Sequence, residues 1–287
     1  MSFSPPAWAR RLEQADRALL FLDELTTCSA AVQAAMLRII QERVAGDMAL
    51  GEHVRIVAAA NPPDQAVLGI DLDPPMLNRF THVTWEIDLA AWGEWVLSQP
   101  SLAPDRAPEV RSKILGFLEF RPGLVVSVPE DPGTNQPWPS LRSWYGAMVQ
   151  LEADPDDDAF VHDTLRGTVG EAAAVEFTAW STESELPRPA DVLADPKVVR
   201  WEELRPDQAF AVMTGLRGLL GARRRVARRD WEAAIRVLDV AAAAGRADVG
   251  VPLLRWLFER VPKDARIPAS LKEHYLELLQ MARLVPG

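Results

Sequence analysis

Residues Ala18 to Leu22 read Ala-Leu-Leu-Phe-Leu and are closed by two adjacent carboxylates, Asp23 and Glu24, before the polar pair Thr26-Thr27. An unbroken apolar run of this length suits a strand buried on both faces of a parallel sheet, and ligands of open α/β sheets gather beyond the carboxyl ends of such strands. The two acids are therefore expected at a ligand site. A second run, Val54 to Ala60, stops at Asn61-Pro62-Pro63, and a third candidate strand, Thr81 to Ile87, follows the turn Asp73-Pro74-Pro75 and the short segment Met76 to Phe80. Between the first two, Ser29 is placed to cap a helix whose apolar positions Val32, Met36, Leu37, Ile39 and Ile40 recur helically through Glu42. Gly46-Asp47 predicts a small hairpin within Arg43 to Gly51. Strands separated by helical segments imply a mostly parallel sheet.

From Leu89 onward the periodicity becomes helical. Val110, Ile114, Leu115, Phe117 and Leu118 form one apolar stripe, and Trp144, Met148 and Leu151 form another beyond the Pro-rich loop from Val128 to Pro139. A linker from Glu185 to Pro196, with three prolines, introduces further helical patterns: Trp231, Ile235, Leu238 and Ala242, then Leu253, Leu254, Leu257 and Phe258, then Leu276, Leu279 and Ala282. The expected fold class is thus α/β followed by all-α, divided at 1–88, 89–184 and 185–287, with antiparallel helix pairs in the last part.

At 287 residues and 48% hydrophobic the chain can bury a core. A net charge of −10 argues against a nucleic-acid partner, because affinity for the phosphate backbone requires Lys and Arg. The single cysteine, Cys28, excludes an internal disulfide framework. With no run long enough to span a membrane and no apolar core of a signal peptide, no membrane association and a cytoplasmic location are expected. The acidic run Asp154, Asp156, Asp157 and Asp158 lacks the glycine and terminal glutamate of a calcium loop and reads as a solvated turn. The pair His162-Asp163 is isolated, and His53, His82 and His274 have no ligand-like spacing. The cluster Arg223, Arg224, Arg225, Arg228 and Arg229 reads as a hydrated helix face, although an acidic partner could use it. The ten tryptophans, Trp92, Trp95 and Trp256 among them, read as core anchors.

Two neighbouring acids at a strand end divide the labour of phosphoryl transfer: Asp23 is placed to hold Mg²⁺ through its water shell, and Glu24 to orient or deprotonate an attacking water. This is the Walker B arrangement. An acidic pair before a helix also favours the helix macrodipole, so the pair alone leaves both readings open. Asn61 before proline suits an Asx turn, and Arg79 beside Phe80 suits an ordinary surface arginine. No Gly-x-x-x-x-Gly-Lys-[Ser/Thr] phosphate cradle occurs in the sequence.

Taken together, Asp23-Glu24, Asn61, Arg79 in Asn-Arg-Phe and Arg142 in Pro-Ser-Leu-Arg-Ser-Trp have an order and spacing that resemble the second half of an AAA+ ATPase module. The local sequence resembles the MoxR-type branch, from about Ser4 to Trp180 and most strongly between Leu19 and Phe80. The resemblance implies that residues 1–88 are the C-terminal part of the α/β core, 89–184 a helical lid and 185–287 a helical extension. It further implies ATP and Mg²⁺ as ligands, with Asp23 and Glu24 as the Walker B acids. Asn61 corresponds to the sensor 1 residue, Arg79 to the arginine finger that reaches a neighbouring subunit, and Arg142 to the sensor 2 arginine of the lid. Assembly into a ring, remodelling or activation of a client, and a partner with a von Willebrand factor A-like domain follow from the same resemblance.

That family's core has five strands, with the strand feeding the phosphate loop at the centre, and this sequence contains neither that strand nor its loop. Each unsatisfied buried backbone group costs on the order of 1–3 kcal/mol, so the strands are expected to rearrange, or the edge to recruit another chain, unless the natural start lies upstream. The chain alone is expected to bind ATP poorly and to hydrolyse it negligibly. The competing reading is a non-catalytic adaptor built on a remnant of the module.

Overall fold

The apolar run forms a strand and finds a parallel neighbour. The computed structural model describes residues 4–61, 72, 74–129, 136–183, 186–223, 225–271 and 273–275. In it α1 (Ala7–Glu13) leads into β1 (Ala18–Leu22), α2 (Ala30–Glu42), the short strands β2 (Val44–Ala45) and β3 (Met48–Ala49), β4 (Val54–Ala58) and the single turn α3 (Pro74–Leu77). β1 pairs with β4 in parallel register from Ala18↔Val54 to Leu22↔Ala58. β2 and β3 pair antiparallel across the expected Gly46-Asp47 turn, where Gly46 takes the positive φ of 66° that such a tight hairpin needs at its first central position.

Side chains alternate across a strand, and here the two faces of the sheet have different fates. Ala18, Leu20 and Val54 pack on Ala9, Ala45 and Leu50, together with Trp8 and Leu12 from α1 and Ile39 from α2. On the other face Leu19, Phe21 and Val57 are 59%, 53% and 45% exposed. The expectation of a strand buried on both faces is corrected accordingly: among the described residues no second layer covers that side. The five-stranded core implied by the resemblance is likewise reduced, among the described residues, to one parallel pair and one hairpin.

Three further expectations change. Thr81 to Ile87 is not a strand, and Val83, Trp85 and Ile87 are exposed. A strand exists only where a neighbouring backbone accepts its hydrogen bonds, and no described strand lies beside this segment. β4 ends at Ala58, two residues short of the apolar run. Ser29 occupies the N-cap of α2 but its side chain makes no capping bond; Gln33, the one buried residue of that helix, instead donates to the Cys28 carbonyl at 3.2 Å, while Val32 stays exposed.

Residues Met1–Glu86 and Ile87–Gly287 are two compact units. The second contains α4 (Leu89–Ser98), α5 (Ala107–Phe120), α6 (Leu141–Leu151), α7 (Asp158–Val169), α8 (Glu171–Glu183), α9 (Pro189–Ala194), α10 (Pro206–Gly221), α11 (Arg228–Ala243) and α12 (Ala247–Phe258). α9 forms inside the expected linker because Pro189 stands at its first turn, where the fixed φ of proline suits a helix start. The boundary expected at residue 184 and the periodic positions Leu276, Leu279 and Ala282 lie outside the described residues.

Two apolar cores occupy this unit. One gathers the stripe Val110, Ile114, Leu115, Phe117 and Leu118 with Trp144, Met148 and Leu151, and Phe117 stands within 5.3–5.8 Å of the Trp144, Phe177 and Trp180 rings. The other gathers Trp201, Trp231, Ile235, Leu238, Leu253 and Leu257. α5 joins them by running closely along α10: a Cβ on Gly116 would lie 2.5 Å from the Ala211 Cβ. Trp180 bridges them too, donating to Asp207 Oδ2 at 2.7 Å. Burial alone would raise the Asp207 carboxyl, but the hydrogen bonds from Arg205 and Trp180 outweigh it and hold that carboxyl below its ordinary value. Beneath α4, the buried Arg111 guanidinium pairs with Glu152 at 2.8 Å and donates to the carbonyls of Val96 and Gln99, so the charge is both paired and hydrogen-bonded. Trp95, expected as a core anchor, is 46% exposed, and Trp256 is partly buried.

Candidate functional site

Because β1 and β4 are parallel and in register, their carboxyl ends open at one edge of the sheet, which carries Asp23, Glu24 and Asn61 together. The ladder continues just past the strands: Ala59 N donates to Leu22 O at 2.9 Å and Leu25 N to Ala59 O at 3.1 Å. These bonds clamp the backbone on either side of the acidic pair. Both acids and Asn61 are exposed.

Between the clamps the chain turns sharply. Glu24 adopts φ 51° and ψ 46°, the left-handed region that a non-glycine residue rarely occupies. Asp23 Oδ1 accepts from the Glu24 amide at 3.0 Å, and the Glu24 carbonyl accepts from Thr27 N at 2.9 Å and Thr27 Oγ1 at 2.8 Å. The expected polar turn at Thr26-Thr27 is thus a single 3-10 turn that holds a strained backbone in place.

Arg79 follows α3 in the same unit, is exposed, and donates from Nε to Gln41 Oε1 at 3.3 Å near the end of α2. Arg142 belongs to the other unit. It is exposed in the first turn of α6, whose start is fixed by a capping box between Ser140 and Ser143, and its side chain makes no hydrogen bond or ion pair with the described residues. The structure therefore brings Asp23, Glu24 and Asn61 to one edge and leaves Arg142 in a separate body.

The donor set fits Mg²⁺ only in the manner that ion prefers, with one or two carboxylates and the remaining positions filled by water and phosphate oxygens. Among the described residues no group of three or more His, Cys, Asp or Glu gathers as a protein-only metal cage. The acidic run before α7 serves the helix itself, since Asp157 Oδ1 accepts from the amides of Ala159 and Phe160 and caps it. Sequence reasoning missed a different group of side chains, the cations around the α10–α12 crossing. The arginine cluster from 223 to 229 was the signal that could have found them. Among the described residues no helix is long and apolar enough to cross a membrane.

Residues 8–75 match the family described as the Sigma-54 interaction domain, a AAA+ family. The chain is similar to the Nif-specific regulatory protein of Klebsiella pneumoniae, 53% identical over 127 residues that cover 43% of this chain and 21% of that protein. It is also similar to the Nif-specific regulatory protein of Enterobacter agglomerans, 53% identical over 55 residues that cover 18% of this chain and 11% of that protein. The chain thus spans at most 21% of the length of these curated relatives. No solved structure matches it. Over the stretch that carries the acidic strand end, the chain is therefore similar to part of an AAA+ ATPase module, and the matched branch is the sigma-54 interaction domain rather than the MoxR type.

Proposed function

We propose that residues 4–80 supply the Walker B half of an AAA+ ATPase module in a regulatory protein, whose complete form binds Mg-ATP and works as an oligomer. The observation that supports this reading is the shared edge: two carboxylates and an amide side chain at the carboxyl ends of two parallel strands, held there by the ladder bonds around Ala59. Bound Mg-ATP supplies the phosphoryl group and neutralises part of its charge. With it bound, Asp23 would hold the hydrated ion, Glu24 would orient and deprotonate the attacking water, and Asn61 would donate a hydrogen bond to that water or to the terminal phosphate. Arg79, tethered by Gln41, stabilises the charge that develops at a neighbouring subunit's site, and Arg142 contributes from the lid.

The family match favours a sigma-54 factor as the client over a protein with a von Willebrand factor A-like domain. It also removes the ground for excluding a transcriptional setting from net charge alone, since the matched relatives are named as regulatory proteins. A strongly negative chain can still act beside nucleic acid through a partner.

In a preparation of the protein that turns over ATP, Glu24→Gln is expected to lower turnover about 10²-fold or more while leaving nucleotide binding intact, because binding relies on metal and phosphate contacts and hydrolysis on the base. Arg79→Ala is expected to lower turnover only in the assembled form. Steady-state phosphate release and nucleotide titrations measure both. Unchanged turnover in the two variants would mean that the acids and the arginine hold no such roles.

A further inference from the structure

The helical unit contains a cavity of about 500 Å³ bounded by the ends of α4 and α10, the segment after α12 and one face of Trp256. Five cations line it: Arg217, Arg223, Arg225, Arg260 and Lys263. Among the described residues no carboxylate does. In a chain with a net charge of −10 this is a local inversion of sign, and a concave wall of one charge concentrates its field on whatever enters.

Carboxylates outside the lining neutralise three of the five. Arg217 pairs with Glu94 at 2.6 Å, Arg223 with Asp230, and Arg260, stacked 4.5 Å above the Trp256 ring, with Glu259 at 2.8 Å. Arg225 and Lys263 are exposed and have no ion-pair partner among the described residues. Arg217 lies deeper than the other four, with a side chain only 11% exposed. Burial pulls that guanidinium below its ordinary pKa against the opposing pull of Glu94.

We propose that this cavity is a binding site for a small phosphorylated ligand carrying at least two phosphate charges. Its volume falls within the 300–1,000 Å³ usual for small-molecule sites, which favours such a ligand over an extended acidic peptide or a nucleic acid. Guanidinium groups match phosphate oxygens in pairs, and four of the five cations are arginines. Arg142, the candidate lid arginine, is not part of the lining. The site is therefore separate from the proposed ATPase machinery.

The test is calorimetry on the full chain at low salt with inorganic pyrophosphate and tripolyphosphate as probes. Tripolyphosphate is expected to bind with a dissociation constant below about 1 mM, more tightly than pyrophosphate, and to weaken as salt is added. The double variant Arg225→Ala with Lys263→Ala removes two exposed, unpartnered cations and is expected to keep the parent's melting temperature while losing about tenfold or more in affinity. The proposal is overturned if neither probe gives heat at about 1 mM, if the double variant binds as tightly as the parent, or if a glutamate decapeptide or a short DNA duplex binds more tightly than tripolyphosphate.

Discussion

Glu24 shows how much a single position is asked to do. Its backbone sits in the left-handed region, where a side chain with a Cβ is disfavoured by about 1–2 kcal/mol, and it stays there because Thr27 and Asp23 satisfy the groups around it. A carboxylate placed at the cost of backbone strain suggests a position kept for chemistry rather than for folding. Glu24→Gly is accordingly expected to raise stability toward urea by about 0.5–1 kcal/mol, since glycine enters this conformation freely. Equilibrium unfolding curves check the sign, and a destabilised glycine variant would show that the side chain holds the turn together. The sequence made the two acids and Asn61 conspicuous as strand-end residues. It held no sign of the strain, because a left-handed φ depends on where the chain must go after β1, not on the identity of Glu24.

At the scale of elements, α5 and α10 illustrate packing set by what is missing from a side chain. The apolar stripe of α5 was legible as a 3.6-residue repeat, and every residue of it is buried. The stripe does not say which helix it meets. Gly116 answers that, since a Cβ there would fall 2.5 Å from the Ala211 Cβ, far inside contact distance, so the two helices approach only because Gly116 lacks one. Gly116→Ala would ordinarily favour a helix, but here overpacking outweighs propensity and a loss of about 1–3 kcal/mol is expected. A melting temperature equal to or above that of the parent would mean that the helices stand further apart than this contact requires. The failed strand at Thr81 to Ile87 teaches the converse. Its alternating pattern is real, but pattern alone does not supply a partner backbone.

Across the whole molecule the two units differ in how much apolar matter holds them. Among the described residues the α/β unit buries six hydrophobic side chains, Ala9, Leu25, Ala45, Leu50, Val54 and Met76, whereas the helical unit contains two cores with several tryptophans. Stability follows buried apolar area, and an uncovered face of Leu19, Phe21 and Val57 contributes little. The expected result is stepwise unfolding: hydrogen exchange along a urea titration should show residues 18–58 losing protection before residues 107–120 and 231–257. A single coincident transition for all three segments would mean that the units stabilise each other.

By itself the sequence determined the local matters: the helical periodicity from Leu89 onward, the hairpin at Gly46, the helix stripes, and the acids at a strand end. These depend on periodicity and turn chemistry within a few residues. The tertiary structure alone decided that β1 and β4 pair in register, so that Asp23, Glu24 and Asn61 share an edge. It alone left one sheet face uncovered among the described residues and gathered Leu97, Arg217 and Lys263, far apart in the chain, around one cavity. Those outcomes depend on which surfaces meet, and contacts between distant residues leave no periodic trace in the sequence.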